Sequence, residues 1–268
     1  MGASFANSMV ERAFFAGVRR LASVRQYNWT VCNPSKNGAR TIITFQKYVR
    51  PRSLEEAWEL NQKKRNRIVG GMLWLKMCTR ACGTAIDLCD LGLGEIEETE
   101  NEFRIGAMVS LRQLETHAGL AAYSNGAVAE ALKDIVGVQF RNGATVGGSL
   151  WRRMGFSDVL TLFMAMDSYI ELHRGGIVAL EEFAAMPYDS DILVRLIVKK
   201  RPGAFAYGAV RKQSTDLPSL NCAASKCGDE YRVVVGSRPA RAVVLRDEQG
   251  LLAAGVTEQS AAAFADYA

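Results

Sequence analysis

The chain is 268 residues long, 49% hydrophobic and 23% charged, which is ordinary globular usage and supplies apolar material for one large core or two modest ones. Its formal charge of +5 is concentrated at the start: residues 1–52 hold nine basic residues against the single Glu11, and the rest carries 24 basic and 27 acidic residues. With the body slightly acidic, no basic patch argues for a nucleic-acid partner.

In chain order, residues 9–24, with Arg12, Arg19 and Arg20 followed by Arg25, are arginine-rich and nearly free of acid. That pattern superficially resembles a transit peptide or a membrane-surface helix, but the expected reading of residues 1–41 is a disordered or non-native extension ahead of the fold. No secretory apolar region with a cleavage site is present and no apolar run reaches transmembrane length, so a cytoplasmic location without membrane insertion is expected. A strand begins with Ile42-Ile43-Thr44-Phe45, and a helix follows the Ser53 cap with Glu55 and Glu56 in its first turn. Strands are predicted over residues 67–70, 85–88 and 103–109, a helix or turn from Met72 to Met77, and helices from Leu111 and over 127–135. Asn142-Gly143 is expected to turn into a short Thr145-Val146 strand. Ser157-Asp158 opens an apolar helix, with Asp158 as its N-cap or as an acceptor for a ribose hydroxyl. Residues 169–172 and 177–180 form a hairpin about Gly175-Gly176, and 192–199 alternates as an edge strand should. The pattern breaks at residues 201–204, and strands return at 221–225, 231–237 and 241–245, giving a mixed α+β chain.

Two Gly-Gly steps carry the chemistry: Val69-Gly70-Gly71 and Thr145-Val146-Gly147-Gly148-Ser149, each entered from a β-branched, strand-like pair. Without a Cβ the backbone can bend sharply, approach a ligand and leave N–H groups free for phosphate oxygens, so two such loops could hold one pyrophosphate between them. Neither has Rossmann or P-loop spacing. Met72, Trp74 and Met77 also admit a plain core-packing role. The six cysteines, Cys32, Cys78, Cys82, Cys89, Cys222 and Cys227, are expected to be reduced, and Cys89 to be a small buried hydrophobe in a strand rather than a cluster ligand. His117 and His173 sit in no nucleophile or metal-ligand pattern.

Several blocks in order resemble the FAD-binding medium subunit of the molybdenum hydroxylases, the xanthine dehydrogenase and carbon monoxide dehydrogenase family, and in particular the bacterial xanthine dehydrogenase type. They are residues 48–57, Val69-Gly70-Gly71 with Leu73, Ala85-Ile86-Asp87-Leu88, residues 104–111, residues 141–149, residues 156–160 and residues 211–216. The resemblance implies an α+β fold: a two-lobed FAD-binding domain of the PCMH/vanillyl-alcohol-oxidase type over 42–203, with lobes of about 42–108 and 109–203. A small α+β C-terminal domain over 204–268, shorter than the family's usual one, would follow. It implies FAD as cofactor, with Val69, Gly70, Gly71, Met72, Leu73 and Trp74 wrapping the pyrophosphate from one side. Thr145, Gly147, Gly148 and Ser149 would close it from the other, Asp158 would bind the ribose or ribityl region, Ala107 would pack close by, and Leu196 or its strand neighbours would touch the adenine or ring edge. The implied partners are an iron-sulfur subunit and a molybdopterin-binding subunit, with NAD or another species as acceptor. The chain departs from the family at Met72, where relatives place a hydroxyl, at Ser149 for asparagine, and at Gly208, where some relatives offer a lysine. A stand-alone FAD-dependent reductase or oxidase, and a flavin-free structural or assembly subunit, are the alternatives.

Overall fold

The computed structural model of the chain describes residues 42–237 and 240–267, so the arginine-rich stretch and Cys32 lie outside the described residues. Its first unit is a parallel sheet in which β3 (Ala81–Asp87) lies between β1 (Thr44–Val49) and β2 (Arg67–Val69). The connection from β1 to β2 is α1 (Leu54–Asn61), which starts where the sequence places it: Ser53 is extended and its hydroxyl accepts from the Glu56 N–H at 3.1 Å. Ala57 on α1 packs with Ile86 and Leu88, and also with Ile192 and Val194 from far along the chain. β3 begins four residues earlier than the sequence pattern suggests and ends at Asp87, which corrects the reading of Cys89. That thiol is exposed, and its Sγ accepts from Arg50 Nε at 3.2 Å.

From there the chain changes sheet. β4 (Ile96–Glu98) and β5 (Glu102–Gly106) join β6 (Ser168–Leu172), β7 (Gly176–Ala179) and β8 (Leu193–Lys199) in an antiparallel sheet ordered β4-β5-β8-β6-β7. By strand pairing, therefore, the crossing between sheets falls between Asp87 and Ile96, ahead of the expected lobe division at 108/109. β8 is central rather than an edge, with five of its seven residues buried, and Arg195 escapes burial by reaching Glu171 on β6 at 3.2 Å. The Gly175-Gly176 hairpin stands as expected, with Gly176 at φ 71°.

Six short helices occupy the interval between β5 and β6: α2 (Leu111–Thr116), α3 (Ala118–Tyr123), α4 (Ala127–Leu132), α5 (Val138–Gly143), α6 (Val146–Trp151) and α7 (Asp158–Met164); α8 (Leu180–Ala185) follows β7. α2 begins with a reciprocal capping box between Ser110 and Gln113. β9 (Ala204–Val210), which the sequence pattern does not disclose, leads into β10 (Leu220–Cys227), β11 (Glu230–Ser237) and β12 (Val243–Arg246), an antiparallel sheet ordered β12-β11-β10-β9, and α9 (Glu258–Tyr267) ends the described chain. α4 and α7 pack on β9 and β10. Phe205, Tyr207, Ala223 and Val234 from this last sheet share one hydrophobic cluster with Phe103, Phe163 and Leu196, so β9, β10 and β11 lean on the same core as β5, α7 and β8.

Candidate cofactor-binding site

The structure brings the first glycine step against Gly143 and Thr145, which lead into the second. Val69 is the buried last residue of β2, paired with Asp87. Just beyond it, a Cβ on Gly70 would lie 2.6 Å from Thr145 Oγ1, and a Cβ on Gly71 would overlap the Gly143 carbonyl oxygen outright. Leu73 packs against Gly143 from the other side, and the Trp74 ring stands 6.2 Å from that of Phe156, just ahead of α7. At Gly71 and Gly143 backbone meets backbone because neither carries a side chain, and Gly70 leaves the room that the Thr145 side chain fills. Gly71→Ala is accordingly expected to push the loops apart and to cost both flavin and stability, by about 1–3 kcal/mol for forced overpacking. Thermal melts and flavin content of the variant would check it, and wild-type values in both would refute the contact.

The first loop is a donor cradle. Met72 sits at φ 58°, a left-handed conformation that costs a non-glycine residue roughly 1–2 kcal/mol. Among the described residues the main-chain N–H groups of Gly71, Met72, Leu73 and Trp74 donate to no acceptor, while the Met72 carbonyl accepts from Lys76 at 2.9 Å to close a turn. Successive unpaired N–H groups around a left-handed residue form a concavity of the kind that binds anions. The loss of a hydroxyl at Met72 leaves those backbone donors in place.

The second step differs from its expected form. Asn142-Gly143 ends α5 rather than making a turn, and Thr145-Val146-Gly147-Gly148 opens a helix rather than a strand. Thr145 is the N-cap of α6, with its hydroxyl accepting from Gly148 N–H at 3.2 Å. Val146 N–H donates to the Val109 carbonyl at 2.9 Å, Gly147 N–H to that of Ala107 at 2.8 Å and Ser149 N–H to that of Thr145 at 3.0 Å. The amide donors expected of this loop are thus already engaged, and what it offers a ligand is closeness. A Cβ on Gly148 would meet only Thr145 Oγ1, at 3.1 Å, within 4 Å. Gly147 is fixed for a different reason, since its Cβ would press on Ala107 at 2.9 Å. Ser149 turns its hydroxyl back onto the Thr145 carbonyl at 2.9 Å, and its own carbonyl accepts from Ser157 Oγ at 3.2 Å. Thr145→Ala should remove the α6 cap and cost about 1 kcal/mol. Chemical denaturation would measure it, and an unchanged midpoint would show the cap to be idle.

Two expected site residues are placed elsewhere. Leu196 is fully buried in β8, between Ile105 on β5 and Ile170 on β6, and has no surface to offer a cofactor. Asp158 is not the N-cap: Ser157 caps α7 by accepting from Leu160 N–H at 3.2 Å, and Asp158 is its first residue. The Asp158 carboxylate is buried, with Oδ1 accepting from Arg211 Nη2 at 2.7 Å and from the Tyr207 hydroxyl. Burial pushes the Asp158 carboxyl above its ordinary range against the opposing pull of Arg211, and burial together with Asp158 pushes the Tyr207 phenol well above its own. This carboxylate is committed to the C-terminal sheet, with little surface left for a ribose hydroxyl. Gly208 likewise lies buried in β9 opposite Cys222. Motif reading assigned no role to Gly143 and Phe156, which meet the first loop at Gly71 and Trp74, or to Tyr207 and Arg211, which hold Asp158 against the C-terminal sheet.

Among the described residues Cys78, Cys82, Cys89, Cys222 and Cys227 are free thiols, no three His, Cys, Asp or Glu side chains are grouped to hold a metal, and no helix is long and apolar enough to cross a membrane. His117 Nδ1 caps α3 by accepting from Leu120 N–H at 3.2 Å, and His173 Nε2 lies 3.2 Å from Glu55 Oε2.

Residues 43–200 match the family described as FAD binding domain in molybdopterin dehydrogenase. The uncharacterized protein YgfM of Escherichia coli K12 is 27% identical over 224 residues, 81% of this chain and 85% of its own length. Among solved structures, a carbon monoxide dehydrogenase from Hydrogenophaga pseudoflava lacking the Mo-pyranopterin moiety superposes with a TM-score of 0.72 at 22% identity, covering 82% of this chain and 85% of that one. Reconstituted CO dehydrogenase from Oligotropha carboxidovorans gives 0.70 at 23% identity over 83% and 85%, and quinoline 2-oxidoreductase from Pseudomonas putida 86 gives 0.67 at 17% over 84% and 93%. With a donor cradle, a glycine crossing and a family match spanning more than half its length, the chain belongs to the FAD-binding domain family of the molybdopterin dehydrogenases, and FAD is its cofactor.

Proposed function

We propose that the chain is the FAD-binding electron-transfer subunit of a multi-subunit molybdenum hydroxylase of the xanthine dehydrogenase-like type, working in the cytoplasm. In this reading, substrate is hydroxylated on a molybdopterin-binding partner, and electrons reach this chain through the iron-sulfur clusters of a second partner and leave for NAD or another acceptor. Bound FAD supplies the redox chemistry, and the protein supplies binding and position. The observation that carries the reading is the run of unpartnered N–H groups at Gly71, Met72, Leu73 and Trp74, set against the Gly143 carbonyl and the start of α6. Those groups would hold the pyrophosphate, Gly148 would admit it closely, and Trp74 with Phe156 would wall one side.

The test is the visible spectrum of the purified chain, followed by identification of any cofactor released on denaturation and by stopped-flow mixing of the flavoprotein with reduced iron-sulfur partner. FAD near one per chain, reduced by the iron-sulfur partner, supports the reading. Flavin absent even after reconstitution would turn the chain into an assembly subunit, and NAD(P)H oxidation by a flavoprotein that the reduced partner fails to reduce would make it a stand-alone reductase.

A further inference from the structure

The parallel sheet has a second functional end. The cofactor loop leaves β2 at its C-terminal end, after Val69, while its N-terminal end opens on a cleft of about 340 Å³ lined by Gln46, Lys47, Lys63, Lys64, Arg65, Asn66, Gly83 and Thr84. Four of these are cations and none is an acid. Lys47, Lys63, Lys64 and Arg65 are exposed, and among the described residues none of them forms an ion pair. Elsewhere in the chain lysines pair with carboxylates, as Lys133 does at Glu130 and Lys200 at Glu98. Four like charges gathered around one hollow repel one another, and a folded chain holds them there only against that repulsion.

The loop that carries three of them is braced. Asn66 is buried; its amide donates to the Leu60 carbonyl at 2.8 Å, and its carbonyl oxygen accepts from Thr84 N–H at 2.9 Å. Gly83 N–H donates to the Arg65 carbonyl at 2.7 Å, and Arg67 turns its guanidinium back onto the carbonyls of Lys64 and Asn66 at 2.6 and 2.5 Å. The loop is thereby tied to the end of α1, to β3 and to itself. Arg67 spends its charge on the brace and leaves the other four facing solvent. Gly83 and Thr84 line the cleft from β3: a Cβ on Gly83 would lie 2.6 Å from Asn66 Oδ1, so the glycine lets the loop seat closely, and Thr84 and Gln46 contribute neutral hydrogen-bonding groups.

We propose that this cleft is a second anion site, distinct from the cofactor cradle, that takes a compact ligand carrying two or more phosphates. Its volume is that of a small-molecule site. No aromatic side chain lines it, so a base would find no stacking platform and recognition falls on the phosphate chain itself. Mobile ammonium groups from separate segments suit a ligand whose charge is spread over several oxygens.

The test is isothermal titration of the FAD-loaded protein, whose cofactor cradle is filled, with inorganic tripolyphosphate at low and moderate salt. Binding of one equivalent is expected, weakened by salt and weakened about ten- to a hundredfold in the K63A/K64A/R65A variant, with flavin content unchanged. Lys47→Ala alone should weaken it by less, because one charge of four is lost. Absence of binding to the wild type, or equal binding by the triple variant, would overturn the site. Displacement of tripolyphosphate by poly-glutamate at equal charge concentration would also overturn it, by assigning the patch to an acidic protein surface. Loss of flavin leaves this test unaffected if the apo protein still binds tripolyphosphate in a manner that needs Lys63, Lys64 and Arg65.

Discussion

Replacing Gly148 by tyrosine is expected to give a folded protein that purifies without flavin. The environment of this glycine separates two reasons for conserving space. At Gly71 the protein's own backbone occupies the place of a side chain, so any substitution there disturbs the fold and the site together. At Gly148 the protein leaves the place open apart from Thr145 Oγ1 at 3.1 Å, which has to yield by a few tenths of an ångström. Position 148 lies in the first turn of α6, where a residue other than glycine gains roughly 0.5–1 kcal/mol of helix propensity, enough to offset a loosened cap. Stability should therefore move by less than about 1 kcal/mol. If the proposed two-loop site holds, the ring would instead take the place of the pyrophosphate beside α6 and exclude it by sterics. Flavin absorbance after gel filtration, with far-UV circular dichroism alongside, measures both halves of this expectation. Wild-type flavin occupancy in a folded Gly148→Tyr protein would show that the cofactor does not approach α6, and the two-loop site would fall.

Local signals in the sequence were legible where local chemistry decides the structure. Ser53 and Ser110 precede helices because their hydroxyls satisfy the first free amides, and Gly176 turns a hairpin because it accepts a positive φ. Val146-Gly147-Gly148 defeats the same reasoning. A β-branched residue and two glycines are poor helix formers, yet they open α6 because the Val109 and Ala107 carbonyls and the Thr145 hydroxyl take up three of its first four N–H groups' worth of bonding, at 2.9, 2.8 and 3.2 Å. The Val109 and Ala107 carbonyls lie about forty residues upstream, beyond any propensity window.

Alternation misleads at β8 for a related reason. Arg195 and Lys199 read as the outer face of an edge strand, but Arg195 is paired with Glu171 across the sheet and the strand is buried from both sides. The motif order was sufficient for the family, and the glycines of the first loop mark where the chain leaves a run of backbone N–H groups without partners. It was not sufficient for Asp158 or Leu196, whose surroundings are set by β9 and by the middle of the five-stranded sheet. The basic cleft was hidden in another way. Lys63, Lys64 and Arg65 are adjacent in sequence, but the acidic excess of the remaining body dilutes them, and only the return of β1 and β3 beside the loop adds Lys47, Gly83 and Thr84.

The second large effect is expected at Arg211, which stands at the end of β9 and reaches back to the first residue of α7. Arg211→Met keeps much of the side-chain volume but leaves the Asp158 carboxylate buried beside Tyr207 with its counter-charge removed, and breaking a buried pair from one side typically costs about 3–5 kcal/mol. The loss should depend on pH, with a sign that follows from linkage. Burial already raises the Asp158 carboxyl in the folded protein, and Arg211 is the largest influence holding it down, so the variant's carboxyl rises further. A carboxyl raised above its unfolded value is held more tightly as the neutral acid in the folded state. Its penalty is absent below the unfolded value and grows as pH rises through the raised one. Urea melts should therefore show the variant close to wild type near pH 4 and furthest from it at neutral pH. Asp158→Asn in the Arg211→Met background should recover part of the neutral-pH loss, because the amide removes the buried charge. Flavin affinity should follow the same ordering, since Asp158 begins the helix directly after Phe156, and Phe156 packs on Trp74 of the donor loop. A loss of stability that is equal at both pH values and indifferent to Asp158→Asn would show that Arg211 acts through packing and its 2.7 Å bond to the Asp216 carbonyl, not through the buried pair.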